Sequence, residues 1–391
     1  MSGLAFFVGE GMKMSVLQDH LTEWFQTIHQ HPELGMQEFR TTELVKQVLN
    51  THGIRQLALP LETGAIAVLG HDGGPTIGLR CDMDALPIEE NTGLPYASRT
   101  HGVMHACGHD FHTAVMLGVA LCLKARESAL AGKVKIVFQP AEETTQGAFA
   151  ITRTGLVDDC SLFLGLHTYP GFQPGTLGIK SGPVMAAVDW FSIRLHGRGS
   201  HAAQPQKGID PIPAACATVT ALQTLASRFS NPFSPVLCSV TRIEGGTARN
   251  VIPESCLLEG TVRTMDPQVR SEIREHFMRL VTETARAYAV KAEIDWSSGP
   301  PALINDPSLC TLARTIAQQQ GLSVDIQEDT LGGEDFSEYL VYPSVRPGLF
   351  VRIGTGGNYP QHHPRFTADP SALESAVHFF TSMAEACLAK A

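Results

Sequence analysis

Short runs of nearly uninterrupted apolar residues at 65–70, 76–81, 134–139 and 162–166 alternate with helical stretches, notably 113–126. A strand that is apolar on both faces must be covered on both faces, which hairpin sheets with one wet side do not provide. Such strands linked through helices predict an α/β fold, a mixed and largely parallel sheet flanked by helices. Ligands of sheets of this kind collect at the carboxyl ends of the strands. Asp82 and Asp84 follow the second run, Glu142 and Glu143 the third, and His167 the fourth, while Cys107-Gly108-His109-Asp110 lies on a loop opening the helix from Thr113.

At 391 residues the chain exceeds what one hydrophobic core usually supports, so two domains are expected. Residues 16–50 have helical periodicity, interrupted by His31-Pro32-Glu33-Leu34-Gly35. The pattern changes near Val184. Strands are predicted over 188–195, 236–243, 256–263 and 292–296, with helices over 211–229 and 268–290. The two middle strands are joined by the loop Glu244-Gly245-Gly246-Thr247-Ala248-Arg249-Asn250. The order β-α-β-β-α-β is the ferredoxin-like signature. The α/β pattern resumes after Gly299-Pro300-Pro301 with a strand at 349–353. Residues 184–299 are therefore expected to form a domain inserted into one made of 1–183 and 300–391.

A net charge of −10 with no basic run argues against a nucleic-acid partner. The nine cysteines are scattered, odd in number and without a CxxC pair, which fits a reducing compartment better than a disulfide framework. Leu4-Ala5-Phe6-Phe7-Val8 is too short for a secretory signal or a membrane span, and no later stretch approaches 18 apolar residues. The expectation is a cytoplasmic protein with no membrane partner. The residues before Met12 or Met14 are consistent with an upstream start codon.

Thiolate, imidazole and carboxylate bind first-row divalent metals, and here several segments bring them to one sheet edge. A lone cysteine is usually a buried small hydrophobe, and Cys81, Cys122, Cys160, Cys216, Cys238, Cys256, Cys310 and Cys387 fit that reading. Cys107 differs because His105, Gly108, His109 and Asp110 surround it at a helix start, where a metal or the helix N-terminus would favour thiolate. Glu142-Glu143 follow an apolar strand and a proline, an unnatural place for a solvated helix face. Neighbouring side chains near a strand end point in different directions, so one carboxylate can ligate metal while the other faces an activated water. A polarisable Cys107 thiolate suits a bridge between two ions. The donor set accommodates Zn, Mn, Co or Ni.

Longer runs carry a family resemblance. They are Gly78-Leu79-Arg80-Cys81-Asp82-Met83-Asp84-Ala85-Leu86-Pro87-Ile88, His105-Ala106-Cys107-Gly108-His109-Asp110, and Phe138-Gln139-Pro140-Ala141-Glu142-Glu143. Gly199-Ser200-His201-Ala202-Ala203-Gln204-Pro205, Asn250-Val251-Ile252-Pro253, Gly333-Glu334-Asp335-Phe336 and His362-His363-Pro364-Arg365-Phe366 complete the set. In order and over residues 30–370 the chain resembles the metal-dependent N-acyl-amino-acid amidohydrolases. These are the hippurate hydrolases, aminoacylases and indole-acetyl-amino-acid hydrolases of a wider dimetal peptidase superfamily. The resemblance implies two divalent metal ions per subunit, held by Cys107, His109, Glu143, His167 and His362, with His362 and not His363 at the ligand position. It implies that Glu142 is the general base and then the general acid. His201 would polarise the carbonyl or steady the oxyanion, and Arg249 and Asn250 would meet the substrate carboxylate or acyl oxygen. A homodimer or higher homo-oligomer through the inserted lobe is also implied.

The residues support these roles separately. Gly197-Arg198-Gly199 is a flexible turn that presents His201, and arginine suits a carboxylate clamp. One departure concerns the acyl group. Where the family often continues after the histidine with a polar residue, Trp and Pro, this chain has Thr168-Tyr169-Pro170-Gly171-Phe172-Gln173-Pro174. The expected reaction is hydrolysis of an N-acyl or N-aroyl amino acid to a carboxylic acid and a free amino acid. The alternatives are a dipeptidase or N-deacetylase of the same superfamily, or a catalytically silent metal-binding interaction protein. Glu142 argues against the last, because metal binding alone does not require it.

Overall fold

The computed structural model describes residues 14–326 and 328–390. The apolar run at 4–8 and the alternative start at Met12 lie outside the described residues. The chain forms two compact units. One takes the chain up to Gly182, Ile304–Glu328 and the chain from Asp335 on; the other takes Pro183–Leu303 and Asp329–Glu334.

The first unit is built on an eight-stranded sheet. Its order is Arg55–Gln56, Ala65–Gly70, Lys133–Gln139, Thr76–Asp82, Phe163–Tyr169, Gly348–Gly354, Thr176–Gly178, Ser323–Asp325. The middle strands, from Lys133–Gln139 to Gly348–Gly354, pair in parallel. Ala65–Gly70 and Thr176–Gly178 pair antiparallel on either side of them, which makes the sheet mixed. Every residue of Thr76–Asp82 is buried, as a sheet covered on both faces requires. The helix His109–Ala125 is buried continuously from His109 to Leu123 and packs against the helices Met14–Gln30 and Leu373–Lys390. A helix buried all round has no polar stripe to announce it.

Two differences from the expected boundaries in this unit matter for chemistry. The helix begins at His109 instead of Thr113, because Gly108 makes the turn into it with φ 89°. A Cβ at Gly108 would also stand 2.5 Å from Thr168 Oγ1, so this position demands glycine twice over. The strand expected to stop at 166 continues to Tyr169, which puts His167 on the strand and not after it.

The second unit has a four-stranded antiparallel sheet, in the order Val236–Gly245, Ser255–Thr264, Ala187–His196, Lys291–Ser298, with helices Pro211–Leu222 and Pro267–Ala287. This is the ferredoxin-like arrangement, with strict inside-outside alternation along Ser255–Thr264. Asp210 and Asp266 cap the two helices, each followed by a proline. The helix expected over 211–229 ends at Leu222 and is followed by a short π-helical turn at Leu225–Phe229. A small ribbon, Ser200–His201 against Val251–Ile252, was not foreseen.

All nine cysteines are unpaired, but Cys216 is exposed, contrary to its reading as a buried hydrophobe. No described helix is long and apolar enough to cross a membrane.

Candidate metal centre

In the first unit the parallel strands finish at a common edge. Asp82 ends one strand, Pro140-Ala141-Glu142-Glu143 follow the next, and His167 lies near the end of a third. Cys107 and His109 flank Gly108 at the start of the helix His109–Ala125. Three overlapping groups result, each with ligand atoms within 4.8 Å of one another: Cys107, His109 and His167; Cys107, Glu143 and His362; His109, Glu142 and Glu143.

The glutamates follow the strand, as expected, but they sit in a turn and not on the strand's pleat. Ala141 takes φ 53°, and Asp84 accepts the Glu142 amide through Oδ1 and the Glu143 amide through Oδ2, each at 3.0 Å. One buried carboxylate thus fixes both backbone positions, so hydrogen bonds and not strand pleating separate the two side chains. Asp84 also meets His109 Nδ1 at 3.2 Å, which leaves His109 Nε2 to face Glu143 Oε1 at 4.0 Å. A carboxylate behind the imidazole of a ligating histidine fixes its tautomer and orientation. His167 Nε2 lies 3.5 Å from Cys107 Sγ, with its Nδ1 3.0 Å from the Thr168 carbonyl.

The two C-terminal histidines face different partners. His362, with φ 64°, turns Nε2 to within 3.4 Å of Glu143 Oε1. His363 stacks on Tyr359 at 4.4 Å and accepts the Arg365 amide. Non-glycine residues in the left-handed region are costly and gather at functional sites, as Ala141 and His362 do here.

Electrostatics sharpen the picture. Burial, with Glu143 close by, pushes the Cys107 thiol well above its ordinary value. The helix N-terminus therefore does not make the thiolate by itself; the charge of a bound cation would have to do so. Burial works against a charged His109, yet Asp82, Asp84 and Cys107 hold its pKa well above normal. Burial and the nearby His112 ring keep His167 well below normal, so it presents a neutral imidazole.

The remaining candidates belong to the second unit. His201 pairs with Val251 on the small ribbon, and the Ala202 amide donates to the Asn250 carbonyl, which brings His201 and Asn250 to one shallow concavity. His201, Arg249 and Asn250 are all exposed. His201 Nδ1 accepts the Ala203 amide at 3.0 Å, leaving Nε2 for an outside partner. Sequence reasoning missed the tasks of Asp84, His112 and Gln361, and of Glu38, whose Oε1 accepts the Ala141 amide at 2.8 Å. Asp84 stood in a noted motif, but no local signal shows which amides it accepts.

Residues 78–386 match Peptidase family M20/M25/M40. The chain is 43% identical over 378 residues to the N-acetyl-L-cysteine deacetylase of Bacillus subtilis (strain 168), covering 96% of this chain and 90% of that protein. It is 38% identical over 284 residues to the N-acyl-L-amino acid amidohydrolase of Geobacillus stearothermophilus, covering 72% of this chain and 77% of that one. Among solved structures it resembles the Bacillus subtilis YXEP protein, a dinuclear metal binding peptidase from the M20 family. The TM-score is 0.87 at 38% identity, covering 96% of this chain and all of that one.

Proposed function

The chain belongs to peptidase family M20/M25/M40, and from that membership we propose that it is a metal-dependent amidohydrolase. It cleaves the amide bond of N-acetyl or N-aroyl amino acids to a carboxylic acid and a free amino acid. The observation that carries this reading is an orphaned polar atom inside the ligand cluster. His109 Nε2 is buried with no hydrogen-bond partner, its carboxylate neighbours standing off at 3.7 Å (Asp82) and 4.0 Å (Glu143). Leaving such an atom unsatisfied costs roughly 1–3 kcal/mol, and coordination of a cation removes that cost.

Cys107, His109, Glu143, His167 and His362 are the residues that would hold two divalent ions, of Zn, Mn, Co or Ni. Cys107 enters one group with His109 and His167 and another with Glu143 and His362, so its thiolate would belong to both donor sets. Bound ions supply Lewis acidity, acidifying a water and polarising the scissile carbonyl. Glu142, held beside His109 and Glu143 by the hydrogen bond its backbone N–H donates to Asp84, takes the water proton and delivers it to the leaving nitrogen. His201 steadies the oxyanion, and Arg249 with Asn250 receives the substrate carboxylate.

The similarity to an N-acetyl-L-cysteine deacetylase makes N-acetyl the first acyl group to test. The unpaired cysteines support a cytoplasmic setting. The second unit acts as lid and dimerisation surface. Its outer strand Val236–Gly245 leaves Leu237 and Ile243 exposed, which suits pairing with a second copy; sedimentation of a monomer would remove that part of the reading. The central test loads the purified protein with each metal and follows amine release from N-acetyl, N-benzoyl and dipeptide substrates. Release from N-acyl amino acids is expected. Cleavage of none sinks the reading, and a preference for dipeptides would recast the protein as a dipeptidase.

A further inference from the structure

His112 lies one turn along the helix from His109, fully buried. Asp82, His109 and His112 offer ligand atoms within 4.8 Å of one another, so His112 looks at first like a further metal ligand. Its ring is already committed. Nδ1 lies 2.5 Å from Asp82 Oδ1, and Nε2 is 2.8 Å from the backbone nitrogen of Thr168. A backbone amide can only donate, so Nε2 carries the lone pair and Nδ1 the proton. That ring has no lone pair left for a cation.

We propose that His112 is a positioning residue: it fixes Thr168, and through Thr168 the segments that carry three of the ligands proposed above. Thr168 is tied at each of its polar atoms. Its N–H donates to His112, its Oγ1 donates to the Cys107 carbonyl at 2.8 Å, and its carbonyl accepts the Gln361 side chain at 2.8 Å. Thr168 follows His167 in the chain, and Gln361 precedes His362. One residue therefore joins the strand of His167, the loop of Cys107 and the turn of His362.

His112 is itself the end of a buried relay. Arg80 donates to Asp82 at 2.7 Å, to Asp335 at 2.5 Å and to Gln139 at 2.9 Å. Gln139 donates to Asp335 and accepts the Tyr339 hydroxyl. Arg80, Asp82, His112, Gln139, Asp335 and Tyr339 are all fully buried. A charged network so buried holds its members rigidly when it is fully satisfied, and outer partners of this kind tune a metal site without touching the metal.

This inference rests on the dimetal reading, and the test separates the two. The full chain is loaded with Co(II), and metal content, affinity and the visible spectrum are recorded for the parent, His112→Phe and His112→Gln. Phenylalanine keeps the ring volume and loses both hydrogen bonds; the glutamine carboxamide can donate and accept as the imidazole does. His112→Phe should still take up both ions at saturation, with affinity lower by roughly 10–100-fold and shifted cobalt bands, and His112→Gln should recover most of the affinity. Loss of one equivalent in His112→Phe would make His112 a ligand. Unchanged affinity and bands would leave it a mere packing residue. Should His112→Phe not fold, nitrogen-15 spectra of the unaltered protein decide: the Nδ1-protonated form should persist on metal addition, and a coordination shift at Nε2 overturns the proposal. An unaltered protein that binds no metal overturns the dimetal reading as well.

Discussion

The two groups of residues proposed for the site are built in opposite ways. In the first unit, Cys107 and His109 are buried and Glu143 is partly so, with the Glu143 amide and the His109 ring both held by the buried Asp84; His362 is the exposed member of the group. In the second, His201, Arg249 and Asn250 sit exposed on a small ribbon and the loop that leads into it. A cation site needs donor atoms held to a few tenths of an ångström, so its organisation must be complete before the ion arrives. Groups that meet a substrate carboxylate can stay solvated until they are used. Substitutions in the first group should therefore disturb folding, metal content or both, and those in the second should disturb turnover alone.

Glu142 is the sharpest challenge to that division, because it stands in the first group but is proposed to act on the proton. Glu142→Gln should lower kcat by about 10²–10⁴-fold with metal content unchanged by elemental analysis. Loss of metal would reassign Glu142 as a ligand. Gly108→Ala should behave as the first group demands: with φ 89° and Thr168 Oγ1 2.5 Å from the new Cβ, it should lose about 1–3 kcal/mol in urea unfolding and bind metal poorly. An unchanged midpoint would break the claim that this turn is tightly specified.

A titration sharpens the comparison further. His29 Nδ1 lies 2.6 Å from Asp110, and Nε2 3.3 Å from Glu90. Burial alone would lower its pKa, but the two carboxylates more than offset that and raise it from 6.5 to about 9. The stability that this charged ring contributes is fully present below pH 6.5 and is lost as pH rises through about 9. Thermal unfolding of the parent should weaken across that window, and His29→Gln should flatten the slope; an identical slope would remove His29 as its source. The smallest structural effect belongs to the second group. Arg249→Ala should move stability by less than about 0.5 kcal/mol while raising KM for N-acyl amino acids. An equal rise for the corresponding amides, which lack the carboxylate, would take Arg249 off that group.

Much of this architecture was legible in the chain. Runs such as 134–139 and 162–166 could only be doubly covered strands, and their endings pointed to one edge. Alternation like that of Ser255–Thr264 made the second unit readable as ferredoxin-like. The errors share a cause. Around the site, polar residues are buried, so periodicity misleads: His109, Asp110 and His112 concealed a helix start behind apparent loop chemistry. The partners of Asp84, and the meeting of Arg80 with Asp335 across 255 residues, depend on tertiary placement that no local pattern encodes. Cys216 was misread because a cysteine on a helix carries no mark of which face it occupies.

The short strip Asp329–Glu334 belongs to the second unit, where the Ala186 amide bonds to the Gly332 carbonyl and the Thr330 amide to the Val184 carbonyl. The second unit is therefore not a cassette with one entrance and one exit. A chimera that exchanges only Pro183–Leu303 for the matching stretch of a relative would splice two histories into one sheet neighbourhood. A faithful transplant has to carry the strip as a second, separate graft and end it one residue short of Asp335, where the recipient's own buried arginine partner begins.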